Sequence, residues 1–497
     1  MKFLRLSYTF LIYVFFCLNT QAHAQRIAIN NIQLIDSNNN GALGPQNILL
    51  ENGYIKAISK QAFKAEKVIN GEGKYLIPGL IDSHVHLEGI PGMKDEHINK
   101  HPAIAEQAKA QIPRSYLYFG FTTVLDLLAN KKSIDEWNKQ ALRPDAYFCL
   151  AAPIANGYPL SWLPRHERFN SDMAPYIVYD EKQKDTIPKH INAKDNSPSA
   201  VVKKIKQAGA QCVKTFYEEG FGGQSNLPNP SKAMMQELIS SAHQYAMPVF
   251  VHGNSQASQI FAVNAGADVI AHGMWRWGNK STLKPSPKIL KLIDQIAEQQ
   301  IGYQATIQVI YGEQELFNDA YFDMPSLAHA MPKELSRWYQ SSEGRWMRSV
   351  MAKNMGLKLS DVRYQDLKEE YSAPIKRASV VVQQLAQHDA RLLFGSDTPS
   401  GPFYTQFPGL NGYLEIQRLA EAGVPLPAIL HALTLANAKA LGLEEQLGSI
   451  DVGKRANLLV LNDNPLTSAQ AYNSIETVIL HGEVHQRHTL SAKNINL

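Results

Sequence analysis

Cysteine is scarce in this chain: Cys17, Cys149 and Cys212 are the three in 497 residues. That excludes a disulfide framework and leaves at most one bond, between Cys149 and Cys212, once Cys17 is assigned to the leader described below. Both lie in apolar runs, where a small buried thiol is the simplest expectation. An excess of either charge is also missing. Lys plus Arg number 49 against 45 Asp plus Glu, a formal +4, so nothing calls for a nucleic-acid partner. With 44% hydrophobic and 19% charged residues, the chain is neither disordered nor collagen-like nor a coiled coil, and it is long enough for more than one core. Beyond the N-terminus no apolar run approaches the ~20 residues needed to span a membrane.

The first residues read MKFLRLSYTFLIYVFFCLNTQAHAQ. Lys2 and Arg5 precede an apolar run from Tyr8 to Leu18, and Ala22-His23-Ala24 places small residues where a signal peptidase reads them. The expectation is a secretory signal peptide, residues 1–24, cut before Gln25, and a soluble secreted or periplasmic protein of net charge +2. Phe16 is too bulky for Cys17 to be a lipidation site.

Strand-like text occupies 26–74 and returns only near the C-terminus, as ANLLVLNDN and IETVILHGEVH. Two β-rich pieces flanking one long region most simply pair with each other, so 25–75 and 446–497 are expected to form one small β-sandwich domain around a central domain at 76–445. Within the centre, apolar runs at 81–87, 121–127, 146–154, 211–217, 248–254, 268–274, 302–310 and 391–397 alternate with helical text such as SKAMMQELISSAHQYA. Eight βα units predict a (β/α)8 TIM barrel of the α/β class, with its chemistry at the C-terminal strand ends. A doubly wound open sheet is the alternative fold. The long spacers 155–199 and 311–390 follow strand ends and are expected to rise over the barrel mouth.

His84 and His86 sit two apart on the first expected strand, so they share a face and converge as neutral imidazoles, a donor set suited to zinc or a similar divalent ion. With 16 histidines, chance alone yields about half a His-x-His in a shuffled chain; position gives the pair its weight. His252, His272 and Asp397 occupy the equivalent ends of the fifth, sixth and eighth strands. Lys214 ends the fourth. An inward lysine beside metal ions becomes a ligand if its neutral amine has combined with carbon dioxide, giving a bridging carbamate; an ordinary lysine in a basic stretch with Lys203, Lys204 and Lys206 is the alternative.

The stretches YLIPGLIDSHVHL, GFTTVLDL, VFVHG, IAHG, LLFGSDTP and LTLANAKALGLEEQLGSIDVGKRANLLVLNDNPL resemble the metal-dependent amidohydrolase superfamily, and within it the imidazolonepropionase and prolidase-like dipeptidase branch. The resemblance implies two zinc ions: one held by His84, His86 and Asp397, a second by His252 and His272, with carboxylated Lys214 bridging. Asn437-Ala438 stands where Asn-Pro is usual. The implied reaction is hydrolysis of an amide-type C–N bond of a small molecule, a dipeptide or N-acyl amino acid, with Asp397 moving the proton of the attacking water. Tyr217 and the arginines Arg165, Arg168, Arg345 and Arg348 are candidates to meet a substrate carboxylate. The readings in competition are a mononuclear cyclic amidohydrolase or deaminase and a barrel that only binds. Oligomeric state is left open, a homo-oligomer included.

Overall fold

Eight short parallel strands form the centre of the molecule: Leu80–Val85, Phe121–Asp126, Asp145–Ala151, Cys212–Phe216, Val249–His252, Val269–Ala271, Gly302–Gln304 and Leu392–Leu393, hydrogen-bonded in chain order. The structure is a computed structural model that describes residues 26–36, 41–220, 223–279 and 281–495; the expected leader and its cleavage point lie outside them. The first and eighth strands meet. Ser83 N donates to Phe394 O at 3.1 Å, His86 N to Thr398 O at 2.8 Å and Asp397 N to His84 O at 2.7 Å. Asn437 bridges the same seam, its Nδ2 donating to Ile81 O and Phe394 O at 2.7 and 2.8 Å while its Oδ1 accepts from Ser83 Oγ. The TIM barrel expected from the alternating pattern is the observed architecture.

The helices follow from apolar spacing and capping. Pro287–Glu298 buries Ile289, Leu292, Ile293 and Ile296 on one face, and the Ser286 side chain accepts from Ile289 N at its start. Lys232–His243 repeats the device, with Ser231 capping and Met235, Leu238, Ile239 and Ala242 buried. Each such aliphatic side chain contributes roughly 1.5–3 kcal/mol through burial, and each serine cap about 1 kcal/mol. Both helices are thereby held against the barrel.

The terminal segments join in one mixed sheet. Tyr75–Pro78 pairs antiparallel with Leu458–Leu461, which continues through Ile475–Leu480 to Glu483–Gln486, while Arg26–Asp36 carries the sheet on to Gly41–Glu51 and Tyr54–Ser59. Where a sandwich was expected, the hydrogen bonding runs through as a single sheet. Irregularities in Arg26–Asp36 between Ile29 and Ile32 and between Gln33 and Ile35 let this long strand take partners over its whole length. Alternation then divides the burial. Leu458 and Val460 enter the terminal core with Ile27, Ile48 and Leu76, whereas Leu459 and Leu461 join the barrel's helix layer.

Both long spacers are folded. Residues 155–199 carry short turns of helix around their own cluster of Ala155, Leu160, Ile177 and Ile191. The second is mainly helical, with Ile307–Glu315, Trp346–Asn354 and Tyr364–Gln387 the longest pieces. Cys149 and Cys212 are directly paired on the third and fourth barrel strands, 4.5 Å apart at Cα, and form a disulfide. Free thiols were the simplest expectation. Strand register, which two apolar runs do not disclose, makes the one bond that the sequence left open.

Candidate metal centre at the barrel mouth

Six side chains singled out from the sequence come to the C-terminal end of the barrel. His84, Lys214, His252, His272 and Asp397 are buried, and His86 is partly exposed. His84, His86 and Asp397 place one ligand atom each within 4.8 Å of one another, a grouping that could hold a metal ion. Asp397 Oδ1 lies 3.2 Å from His84 Nε2 and 3.1 Å from His86 Nε2, and its Oδ2 lies 3.5 Å from His272 Nδ1. The imidazoles are contiguous: ring centroids are 5.0 Å apart for His84 and His272 and 4.6 Å apart for His252 and His272.

Backbone shape contributes to this convergence. Asp397 has φ +51° and His272 φ +93°, a region that residues with a Cβ rarely occupy and that costs about 1–3 kcal/mol each. Both stand where a strand gives way to a loop. The turn swings the side chain across the barrel axis in a way that strand alternation does not supply.

Electrostatics sort the donors. Burial lowers His84 to about 4 and His272 well below its ordinary value, so both are neutral lone-pair donors near neutral pH. Burial would raise Asp397, but the surrounding histidines hold it well below the usual carboxylate range. His86 is raised to about 9: burial opposes this, and the carboxylates of Asp126 and Asp397 outweigh it. Lys214 is lowered to about 7 by burial, with Asp397 acting in the other direction, and its Nζ has no hydrogen-bond partner among the described residues.

Three residues that the sequence reading passed over complete the site. Gln304 ends the seventh strand; its Nε2 donates to Ser83 O at 3.0 Å and Ser83 Oγ at 2.7 Å, which turns Oε1 to His84 Nδ1 at 3.1 Å. That acceptor puts the His84 proton on Nδ1 and leaves Nε2 facing Asp397. Glu218, four residues past Lys214, accepts from His252 Nε2 and from Asn254 Nδ2, both at 3.0 Å, and from Arg276 Nη2 at 2.6 Å. Burial would raise its carboxyl, yet His252 and Arg276 bring it to about 2. Tyr158, the first residue of the YPLSW text in the first long spacer, lays its ring 4.6 Å from that of His252. Paired second carboxylates and amides of this kind carry no sequence spacing, so no pattern pointed to them.

The substrate-binding candidates fare differently. Tyr217 packs on Phe261, of the helix Gln256–Ala265, at 4.6 Å between ring centroids. Arg168 is spent on Leu163 O, Ser161 O and Asn156, and Arg345 and Arg348 both pair with Asp319. Arg165 reaches Thr186 O. These four arginines tie their own loops together.

Two family models, each described as "Amidohydrolase family", match residues 75–274 and 360–486, which together hold the five histidine and carboxylate positions above and Lys214. The chain belongs to the amidohydrolase family. It is similar over 95 residues to a dihydroorotase from Thermococcus kodakarensis, 32% identical over 19% of this chain and 20% of that protein. A second dihydroorotase, from Endomicrobium trichonymphae, is 44% identical over 63 residues, 12% of this chain and 14% of that one. The chain thus spans about a fifth or less of the length of the curated relatives it matches. Among solved structures, it resembles a Xaa-Pro dipeptidase with bound methionine in the active site, with TM-score 0.63 and 19% identity over 93% of this chain and 100% of that one. The ochratoxinase of A. niger gives TM-score 0.63 and 18% identity over 93% and 96%. At these identities the likeness is one of fold.

Proposed function

We propose that this protein is an exported, metal-dependent hydrolase of amide C–N bonds in dipeptides or N-acyl amino acids, of the prolidase-like branch. The observation that carries the reading is Lys214. A buried ammonium with no acceptor is costly, and an amine lowered to about 7 is substantially neutral at physiological pH. Such an amine can attack carbon dioxide: the N–C bond forms, one proton leaves, and the resulting carbamate supplies two anionic oxygens among four imidazoles.

The donor set fits a pair of divalent cations. His84, His86 and Asp397 would hold one, His252 and His272 the other, with carboxylated Lys214 between. When bound, such metals make water acidic enough to attack near neutral pH and polarise the scissile carbonyl. Asp397, kept anionic, takes the proton of the attacking water and passes it to the leaving nitrogen. Gln304 and Glu218 hold His84 and His252 in the orientations that leave one lone pair of each free. The buried Cys149–Cys212 disulfide supports the exported location.

A second reading has one metal on His84, His86 and Asp397, and the compactness of that trio favours it. Metal per chain separates the two. Lys214→Ala should lose one of two metals and most hydrolysis of a dipeptide and N-acyl amino acid library, with partial rescue by added acetate. Unchanged metal content and turnover in the variant would remove the bridge and leave the mononuclear reading.

A further inference from the structure

Above the histidines, the second long spacer holds a carboxylate that the proposed mechanism does not use. Glu313 lies on the helix Ile307–Glu315, which starts directly from Thr306, and Thr306 Oγ1 is 3.2 Å from His272 Nδ1. Seven residues at 1.5 Å each put Glu313 about 10 Å along the helix from Thr306. A second path of the same length leads to it. Ala378, on the helix Tyr364–Gln387, stands at Gly273, where a Cβ would meet its own Cβ at 3.1 Å. Tyr371 is seven residues nearer that helix's start and on the same face, again about 10 Å along. The two paths meet, because Tyr371 hydrogen-bonds to Glu313.

Glu313 is only partly exposed, and among the described residues no cationic side chain acts on it. Burial, and beyond it the negative charge of Asp397 across the mouth, raise it to about 7. A cation brought beside it would favour its ionised form and pair with it. Trp275 adds an aromatic face beside His272. Its ring is 5.6 Å from that of His272, its carbonyl accepts from Arg377 of the same long helix, and its buried Nε1 has no hydrogen-bond partner among the described residues. An acid with an aromatic partner in Tyr371, facing a mouth that Trp275 also lines, is chemistry that receives an ammonium or guanidinium.

We propose that Glu313, held by Tyr371, is the subsite for a cationic amine or guanidinium of the substrate, about one amino-acid side chain's reach from the metal centre. This inference rests on the proposed hydrolase only for its location at the substrate's entry. The cation has two sources, the α-ammonium or a basic side chain.

Calorimetry on metal-replete protein with N-acetyl-lysinamide, norleucinamide and N-acetyl-norleucinamide tests it, since these probes carry a side-chain cation, an α-ammonium and neither. One of the two cationic probes should bind at least tenfold more tightly than the neutral one, which identifies the source. In Glu313→Gln that advantage should disappear, and in Tyr371→Phe it should shrink. Equal binding of all three by the wild-type protein, which needs no variant to fold, would overturn the proposal, as would an advantage that survives Glu313→Gln. Hydrolysis of the matching dipeptides is measured separately. Selective binding without turnover would sink the proposed hydrolase and support the cation subsite.

Discussion

Glu218 accepts the Nε2 hydrogen of His252 at 3.0 Å while Arg276 grips its other oxygen at 2.6 Å. Arg276 also donates to Gly220 O and to Asn254 Oδ1, so one carboxylate ties together the loops that follow the fourth, fifth and sixth strands. A histidine whose far nitrogen is fixed by a carboxylate has its ring orientation fixed and its basicity raised. Glu218→Ala should therefore lower the affinity of the metal proposed on His252 and His272 about 10- to 100-fold and destabilise the fold, since it strips a partner from a buried imidazole. Glu218→Gln, which keeps the shape and an acceptor, should lose less. Metal titration of the two variants checks the order; equal affinity in both and in the wild type would remove Glu218 from the site.

Gln304 does the corresponding work for His84. Replacing it by leucine leaves the Nδ1 hydrogen of His84 and the Ser83 carbonyl without their partners, a loss of about 1–3 kcal/mol in stability. The proton is then free to move to Nε2, the nitrogen that faces Asp397. The expected result is weaker binding of the metal proposed on His84, His86 and Asp397, and the hydrogen-bonded imidazole N–H proton resonance of His84 should vanish from the NMR spectrum of Gln304→Leu. A spectrum in which that signal persists would show that Gln304 does not set the tautomer.

Much of this was legible in the chain because its signals are local and periodic. Eight apolar runs separated by helical text specify a barrel, and metal-type residues at equivalent strand ends specify where its chemistry lies; His84, His86, His252, His272, Asp397 and Lys214 all come to one mouth. What was not legible depends on contacts between distant segments. Cys149 and Cys212 pair through register. Gln304 and Glu218 matter through what they touch, and amides and carboxylates at strand ends are otherwise unremarkable in a sequence. Tyr217 was singled out for lying just beyond Lys214, and its ring packs on Phe261, while Tyr158 reached the site from a loop whose path no periodicity records.

The disulfide closes a long loop, its cysteines standing 63 positions apart in sequence. On a chain-entropy account such a link stabilises the native state by about 4 kcal/mol. The double variant Cys149→Ala, Cys212→Ala should unfold at clearly lower denaturant concentration. It should also lose metal less steeply than it loses stability, because Lys214 is two pairs further along the same two strands, opposite Ala151. Peptide mapping of the wild-type protein without reductant should recover the two segments as one linked species. Free thiols at both positions in native protein would refute the bond.

Lys214 also makes a prediction about pH that needs no substrate. In the folded chain without metal its amine is lowered by burial to about 7, against an ordinary 10.5 when unfolded. Between those limits the unfolded chain holds the proton and the folded chain does not, so stability must rise with pH across that window. At roughly 1.4 kcal/mol per unit, the penalty carried by the folded state below pH 7 is a few kcal/mol, and it fades toward alkaline pH. Lys214→Met removes the charge and keeps the volume. Metal-free Lys214→Met should be more stable than metal-free wild type at pH 6.5, and the gap should narrow steadily to pH 9.5 in denaturant titrations with carbon dioxide excluded. A gap that stays constant over that range would mean that the amine finds water or an acceptor at neutral pH, and the case for its carboxylation would lose its physical basis.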